Sequence, residues 1–135
     1  MVDVYKKIPL AGDTYTVTTT LSFAIVGAVA TGTNKAPSLL APCALTIVKV
    51  KAYVRTAPVG ANLICDVNKN GTTVFTTQGG RPSIAAGAYT DDSDTPDVTA
   101  LVEGDRLDLD VDQVGSSTAG SDLTIEVVCT QTVTI

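Results

Sequence analysis

Arg106-Leu107-Asp108-Leu109-Asp110-Val111-Asp112 alternates apolar and acidic residues without a break. A period of two puts the apolar side chains on one face of a strand and the aspartates on the other. The same period places Cys65 in step with Leu63 and Val67, and Cys129 in step with Ile125 and Val127, so both thiols are expected to point inward. Eight β segments follow, near 21–30, 44–56, 62–68, 72–77, 83–86, 97–102, 105–114 and 122–134, separated by Gly, Pro, Asn and Asp clusters. The sharpest turn signal is Asn68-Lys69-Asn70-Gly71, between Leu63–Val67 and Thr72–Phe75, because Asn-Gly supplies the positive φ angles of a tight hairpin. Glu103-Gly104-Asp105 is a second turn, and 31–42, 91–97 and 115–122 read as longer loops that tolerate substitution. The fold class expected is all-β: one antiparallel sandwich of about eight strands over 21–135, of the jelly-roll type. Residues 1–20 read as an N-terminal arm, polar apart from a short alternation at Val2, Val4 and Ile8.

Composition agrees with that pattern. Hydrophobic residues make up 44% of the 135, yet aromatics only 4%, so the core is built of Val, Leu, Ile and Ala, and frequent Thr and Val favour strands over helices. A net charge of −5 repels nucleic-acid backbones and anionic lipid, which argues against either as a partner. The longest apolar run, Leu21 to Ala30, is too short to span a bilayer, and MVDVYKK lacks the order of a signal peptide, so a protein made and kept in a cytoplasm is expected. Three widely spaced cysteines, Cys43, Cys65 and Cys129, read as free thiols in that compartment.

The chain has no histidine, which removes the usual general base, the usual activator of a nucleophile and the commonest zinc ligand. Gly79-Gly80 and Gly115-Ser116-Ser117 match no phosphate-binding spacing. No enzyme is expected, and no cofactor. Three weaker candidates remain. Asp108, Asp110 and Asp112 share one strand face and, with Asp66 on a neighbouring strand, form a candidate site for a hard cation, weighed against an ordinary solvated face. Asp92, Asp94 and Glu103 fall at positions 1, 3 and 12 of a calcium-loop pattern, with Pro96 and Asp97 in place of expected ligand and glycine, and the loop reads better as solvated. Tyr89, between a glycine-containing turn and a run of acids, is an exposed ring of the kind that stacks on sugars, or an incidental loop tyrosine. The adjacent Lys6-Lys7 in an acidic protein, with Val2, Val4 and Ile8, marks the arm as an attachment element able to add a strand to a partner. Apolar Ile64 and Val128 at outward strand positions point to contact with another chain or another segment.

The stretch from Val54 to Ile125 carries a further signal in Asp66-Val67-Asn68-Lys69-Asn70-Gly71, Arg81-Pro82 with Ile84 and Gly87, Gly104-Asp105, Asp112-Gln113-Val114-Gly115 and Gly120-Ser121-Asp122-Leu123. This combination resembles a β-sandwich module of small virion proteins of tailed bacteriophages, found in head-decoration proteins, head fibres and tail appendages. The resemblance implies a jelly roll that forms homotrimers, carries no catalytic residues and sits in the virion after assembly in the host cytoplasm. A chain beginning at Met1 as one small domain is then expected to be a capsid decoration protein whose partners are itself and the major capsid protein. The alternative is a tail or head-fibre module that binds a receptor or carbohydrate.

Overall fold

The computed structural model describes residues 10–135. Ten strands form two antiparallel five-stranded sheets: β1 Thr14–Ala28, β2 Leu39–Leu40, β3 Leu45–Thr56, β4 Leu63–Lys69, β5 Thr72–Thr73, β6 Ser83–Ile84, β7 Thr90–Asp92, β8 Ala100–Leu101, β9 Arg106–Gln113 and β10 Ser121–Thr134. One sheet runs β1-β10-β3-β7, with β8 also on β3, and the other runs β2-β9-β4-β5, with β6 also on β4. The chain therefore changes sheet repeatedly, and the two sheets face each other as a β-sandwich, as the alternation requires.

The core is what a period of two dictates. Phe23, Val50, Val54, Leu63, Val67, Leu107, Leu109, Leu123, Ile125 and Val127 are buried between the sheets, each contributing roughly 1.5–3 kcal/mol relative to exposure. Cys65 and Cys129 join them as free thiols. In β3 the inward set changes parity, from Leu45 and Ile47 to Val50, Ala52 and Val54. A bulge opposite Val128/Cys129 absorbs the extra residue, and both Val48 and Lys49 leave the core face.

The Asn-Gly hairpin is present. Lys69 pairs with Thr72 across Asn70 (φ 49°) and Gly71 (φ 87°), the left-handed pair that a two-residue turn matched to strand twist demands. Three expected strands are shorter than their patterns. After Thr73 the chain leaves the ladder, because Val74 and Phe75 are consecutive and both buried, which alternation forbids. The expected strand 97–102 is reduced to β8, since Val98 N–H bonds to Val74 O while Thr99 O accepts Ile47 N–H, so the chain there crosses from one sheet to the other. Of the expected strand 83–86, only Ser83–Ile84 pairs with β4 before the chain turns.

Two loops differ from expectation as well. Residues 115–122 are pinned: Ser117 N–H reaches Val59 O, and Val59 N–H reaches Thr118 O. A Cβ at Gly115 would stand 2.7 Å from Val59 N and closer still to the Thr118 carbonyl. Substitution there is not tolerated for free, because the close backbone approach needs glycine. Within 91–97, Asp91 and Asp92 belong to β7, and the Ser93 hydroxyl accepts Val50 N–H at 2.9 Å.

Residues 14–20, expected as the last part of the arm, form the first half of β1, paired from Thr14↔Thr134 through Thr20↔Val128. A run of β-branched threonine is a good strand once a partner strand supplies the ladder. The proposed attachment residues Val2, Val4, Lys6, Lys7 and Ile8 lie outside the described residues.

Candidate interaction surface

The acidic row of β9 lies on the outer face of its sheet, and every carboxylate in it is held by neighbouring groups. Asp108 accepts the Ser38 hydroxyl and, at 2.7 Å, Arg106 Nε. Asp110 accepts Asn34 N–H at 3.0 Å and Asn68 Nδ2 at 2.7 Å, and Asp112 accepts Arg81 Nη1 at 2.6 Å. On the adjacent strand Asp66 accepts the Thr73 hydroxyl at 2.6 Å and Gln78 Nε2 at 3.3 Å. Asp108 and Asp66 are only 4% and 6% exposed, because the connection leading to β2 and the turn after β5 fold over the sheet. That connection follows the β9 edge through Gly32↔Val111 and Lys35 N–H to Leu109 O.

The two environments act on the carboxyls in opposite directions. The Ser38 hydroxyl, outweighing the cost of burial and aided by Arg106, holds the Asp108 carboxyl below the ordinary range. Burial pushes Asp66 up, against the donors Thr73 and Gln78, with the Asp112 charge adding to the rise. Among the described residues no group of three or more His, Cys, Asp or Glu side chains stands together as an ion site needs. Asp92 instead pairs with Lys49 at 3.0 Å, and the Asp97 carboxylate accepts both the N–H and the hydroxyl of Thr77.

Asn70 does more than turn the chain. Its Oδ1 accepts Arg106 N–H at 2.9 Å, and its Nδ2 donates to Asp105 at 2.9 Å. Asp105 also accepts Val102 N–H at 2.8 Å, and these donors, the backbone first, lower its carboxyl. The two turns read separately in sequence are thus one hydrogen-bonded unit. Nothing in the spacing of residues 70 and 105 signals it.

The two buried thiols, Cys65 and Cys129, offer no nucleophile. Burial raises Cys65 to about 12 and Cys129 to about 11, and a thiol held protonated at neutral pH does not attack. Cys43, half-buried, donates to Gln131 Oε1.

Sheet β1-β10-β3-β7 presents a different surface. Its outer face carries Val26, 92% exposed at the β1 bulge, and Tyr53, exposed beside a recess of about 170 Å³ with Lys51, Thr90, Asp92, Thr124 and Glu126. Alternation in β3, with Ala52 and Val54 inward, would have placed Tyr53 outward from sequence alone. Tyr89 is exposed as expected, while Ile64 and Val128 are half-buried.

The long strands run past the sandwich. β3 pairs with β10 only as far as Thr46↔Thr130, whereas β1 continues with β10 to Thr14↔Thr134, so a two-stranded ribbon projects from the sheet. β1 is the edge strand, and from Thr14 to Asn34 the sequence has no charged residue and no proline. Lysine, proline and short length are the usual guards of a sheet edge, and this 15-residue strand has none of them. No helix among the described residues is long and apolar enough to cross a membrane.

No protein-family profile and no curated protein matches the sequence. Solved structures that superpose include a chain of the "Cyanophage Pam1 capsid asymmetric unit", with a TM-score of 0.48 at 11% identity, covering 96% of this chain and 93% of that one. Chains from the structures of infectious bursal disease virus, Gt and Gx strains, superpose with TM-scores of 0.33 and 0.32 at 16% and 17% identity. They are covered over 33% and 35% of their length, by 91% and 89% of this chain.

Proposed function

We propose that this chain is a structural protein of a tailed-bacteriophage particle: a jelly-roll capsid decoration protein that binds the capsid surface as a homotrimer. The observation that carries the reading is a division of chemistry between the two sheets. The acidic groups of β4 and β9 are engaged by donors of the same chain, and the buried thiols are kept protonated. The other sheet carries charged groups such as Lys51 and Glu126 on its outer face, but it also leaves a long uncharged stretch for a partner: the β1 edge and the ribbon. Such a surface suits protein–protein contact rather than catalysis. The bacteriophage assignment itself rests on the resemblance of the Val54–Ile125 segment, and the repeated change of sheet along the chain agrees with a jelly roll.

Attachment is assigned to the N-terminal residues Val2, Val4, Lys6, Lys7 and Ile8, whose alternation suits strand addition to a partner and whose lysines suit an acidic one. The test deletes residues 2–9, which leaves β1 whole, confirms the fold by circular dichroism and measures binding to undecorated particles. Binding should fall at least about tenfold. Undiminished binding would move attachment to the sandwich.

One observation favours a second reading, a carbohydrate- or receptor-binding module. Tyr53 stands exposed beside Asp92 and Glu126 in the recess on the outer face, an apolar ring with carboxylate acceptors of the kind that seats a sugar. A glycan array separates the two readings, because the decoration protein should leave it blank.

A further inference from the structure

The register between β1 and β10 is unbroken from Thr14↔Thr134 to Ile25↔Leu123, so a single face runs the length of both strands. Within the sandwich that face is core: Phe23 pairs with Ile125 and Leu21 with Val127, and Phe23, Ile125 and Val127 are buried. Two residues further out, Thr19 pairs with Cys129 at the rim. Beyond it come Val17 opposite Gln131 and Tyr15 opposite Val133, with Val17 42%, Tyr15 37% and Val133 37% exposed. The core-facing pattern therefore continues past the last position at which β3 accompanies it, and the sequence goes on placing apolar residues where no second sheet covers them.

We propose that this inner face of the ribbon is where copies of the chain meet, with Tyr15, Val17 and Val133 of each copy packing against the same residues of its neighbours around a symmetry axis. The inference rests on the homotrimer proposed above and names the surface that makes it. Charge selects the occupant. Near a rotation axis every side chain meets its own copies, so a charged residue there confronts like charge, and the chain as a whole carries −5. From Thr14 through Asn34, and from Val127 through Ile135, there is no charged residue at all. Between Asp13 at its tip and the sandwich, the ribbon is thus a surface on which an acidic protein can approach itself without opposing like charges. A basic or acidic partner of another kind would find no counter-charge on it. Burial would also be continuous with the existing core, since Val17 and Tyr15 follow Phe23 and Leu21 on one face.

The test compares the full chain with Val17→Asp and, as a control on the opposite face of the same strand, Val26→Asp, by sedimentation across the micromolar range. The wild type and Val26→Asp should associate alike, and Val17→Asp should weaken association at least about tenfold because a carboxylate would be buried without a partner. Circular dichroism verifies that each variant is folded. Should Val17→Asp fail to fold, a chain carrying Val133→Cys together with Cys43→Ser supplies the answer, since oxidation should then link copies through position 133. An oligomer unaffected by Val17→Asp, or one that position 133 does not cross-link, overturns this surface while leaving self-association intact. A wild type that stays monomeric throughout overturns both. A monomeric wild type destabilised by Val17→Asp and not by Val26→Asp would show the face covered within the chain by residues 1–9, which also overturns the inference.

Discussion

The outer face of β4 and β9 and the ribbon of β1 and β10 are both surfaces of long antiparallel strands, yet they solve opposite problems. The first places Asp66 directly across from Asp110 on neighbouring strands, an arrangement that repels, and covers the conflict with hydroxyl, side-chain amide and backbone N–H donors from Thr73, Gln78, Asn68 and Asn34. The second leaves Tyr15, Val17 and Val133 exposed with no charge to solvate them. A polar face can be completed by the chain's own loops because each donor needs only to reach one oxygen. An apolar face needs area, which a loop of a few residues does not supply. The polar face is therefore finished within one chain, and the apolar ribbon is the surface on which we propose that another copy adds what is missing.

That contrast can be broken most directly at the core. Leu109 is fully buried on the strand that carries the acids, and Leu109→Ala should cost about 2–5 kcal/mol in urea unfolding. Val17→Ala, measured at a dilution where the chain is monomeric, should cost less than about 0.5 kcal/mol. Comparable losses would mean that the ribbon face is already covered in the monomer.

The hairpin that anchors the polar face comes next. Gly71 sits at φ +87°, so Gly71→Val should cost on the order of 1–3 kcal/mol, read as a lower melting temperature. An unchanged melting temperature would remove the turn from the unit that ties Asn70 to Asp105.

pH separates the two kinds of carboxylate. Asp108, lowered by Ser38 and Arg106, contributes stability that is present above the ordinary carboxylate value of about 4 and is lost as pH falls through its own lower value. Asp66, raised by burial, does the reverse: its ionised form is disfavoured at neutral pH, and that cost is relieved as pH falls through its raised value. Urea midpoints at pH 7, 5 and 3 should show Asp108→Asn with a shallower loss below pH 4, and Asp66→Asn without the compensating gain between pH 7 and about 4. Identical profiles for the two variants would refute the assignment.

The smallest effect concerns the thiols. Native titration at pH 7.5 should find Cys65 and Cys129 unreactive, leaving Cys43 as the accessible thiol, and denaturation should release all three. A single thiol after denaturation would mean that a disulfide had formed.

Much of this was legible from the residues. Leu107, Leu109 and Val111 alternate with aspartates, Asn70-Gly71 demands positive φ, and Cys65 and Cys129 keep step with their apolar neighbours; the structure places each accordingly. What escaped were features made by distant segments. Residues 14–20 read as part of a polar arm because threonine is ambivalent, and only β10 alongside makes them a strand. Residues 115–122 read as a free loop because the backbone of Val59 that pins them lies more than fifty positions away. The acidic row read as solvated or cation-binding because its donors, Ser38, Asn34, Asn68 and Arg81, are scattered through the chain.

The sequence by itself determined the all-β class, the inward sets of β4, β9 and β10 and the tight hairpin. All are local consequences of a period of two and of backbone sterics, and none depends on what lies across the fold. Only the tertiary structure decided which acids are held and by what, and where the second sheet stops while β1 and β10 go on. Those outcomes depend on which segments meet, and alternation along a strand carries no information about the length of the sheet that will cover it.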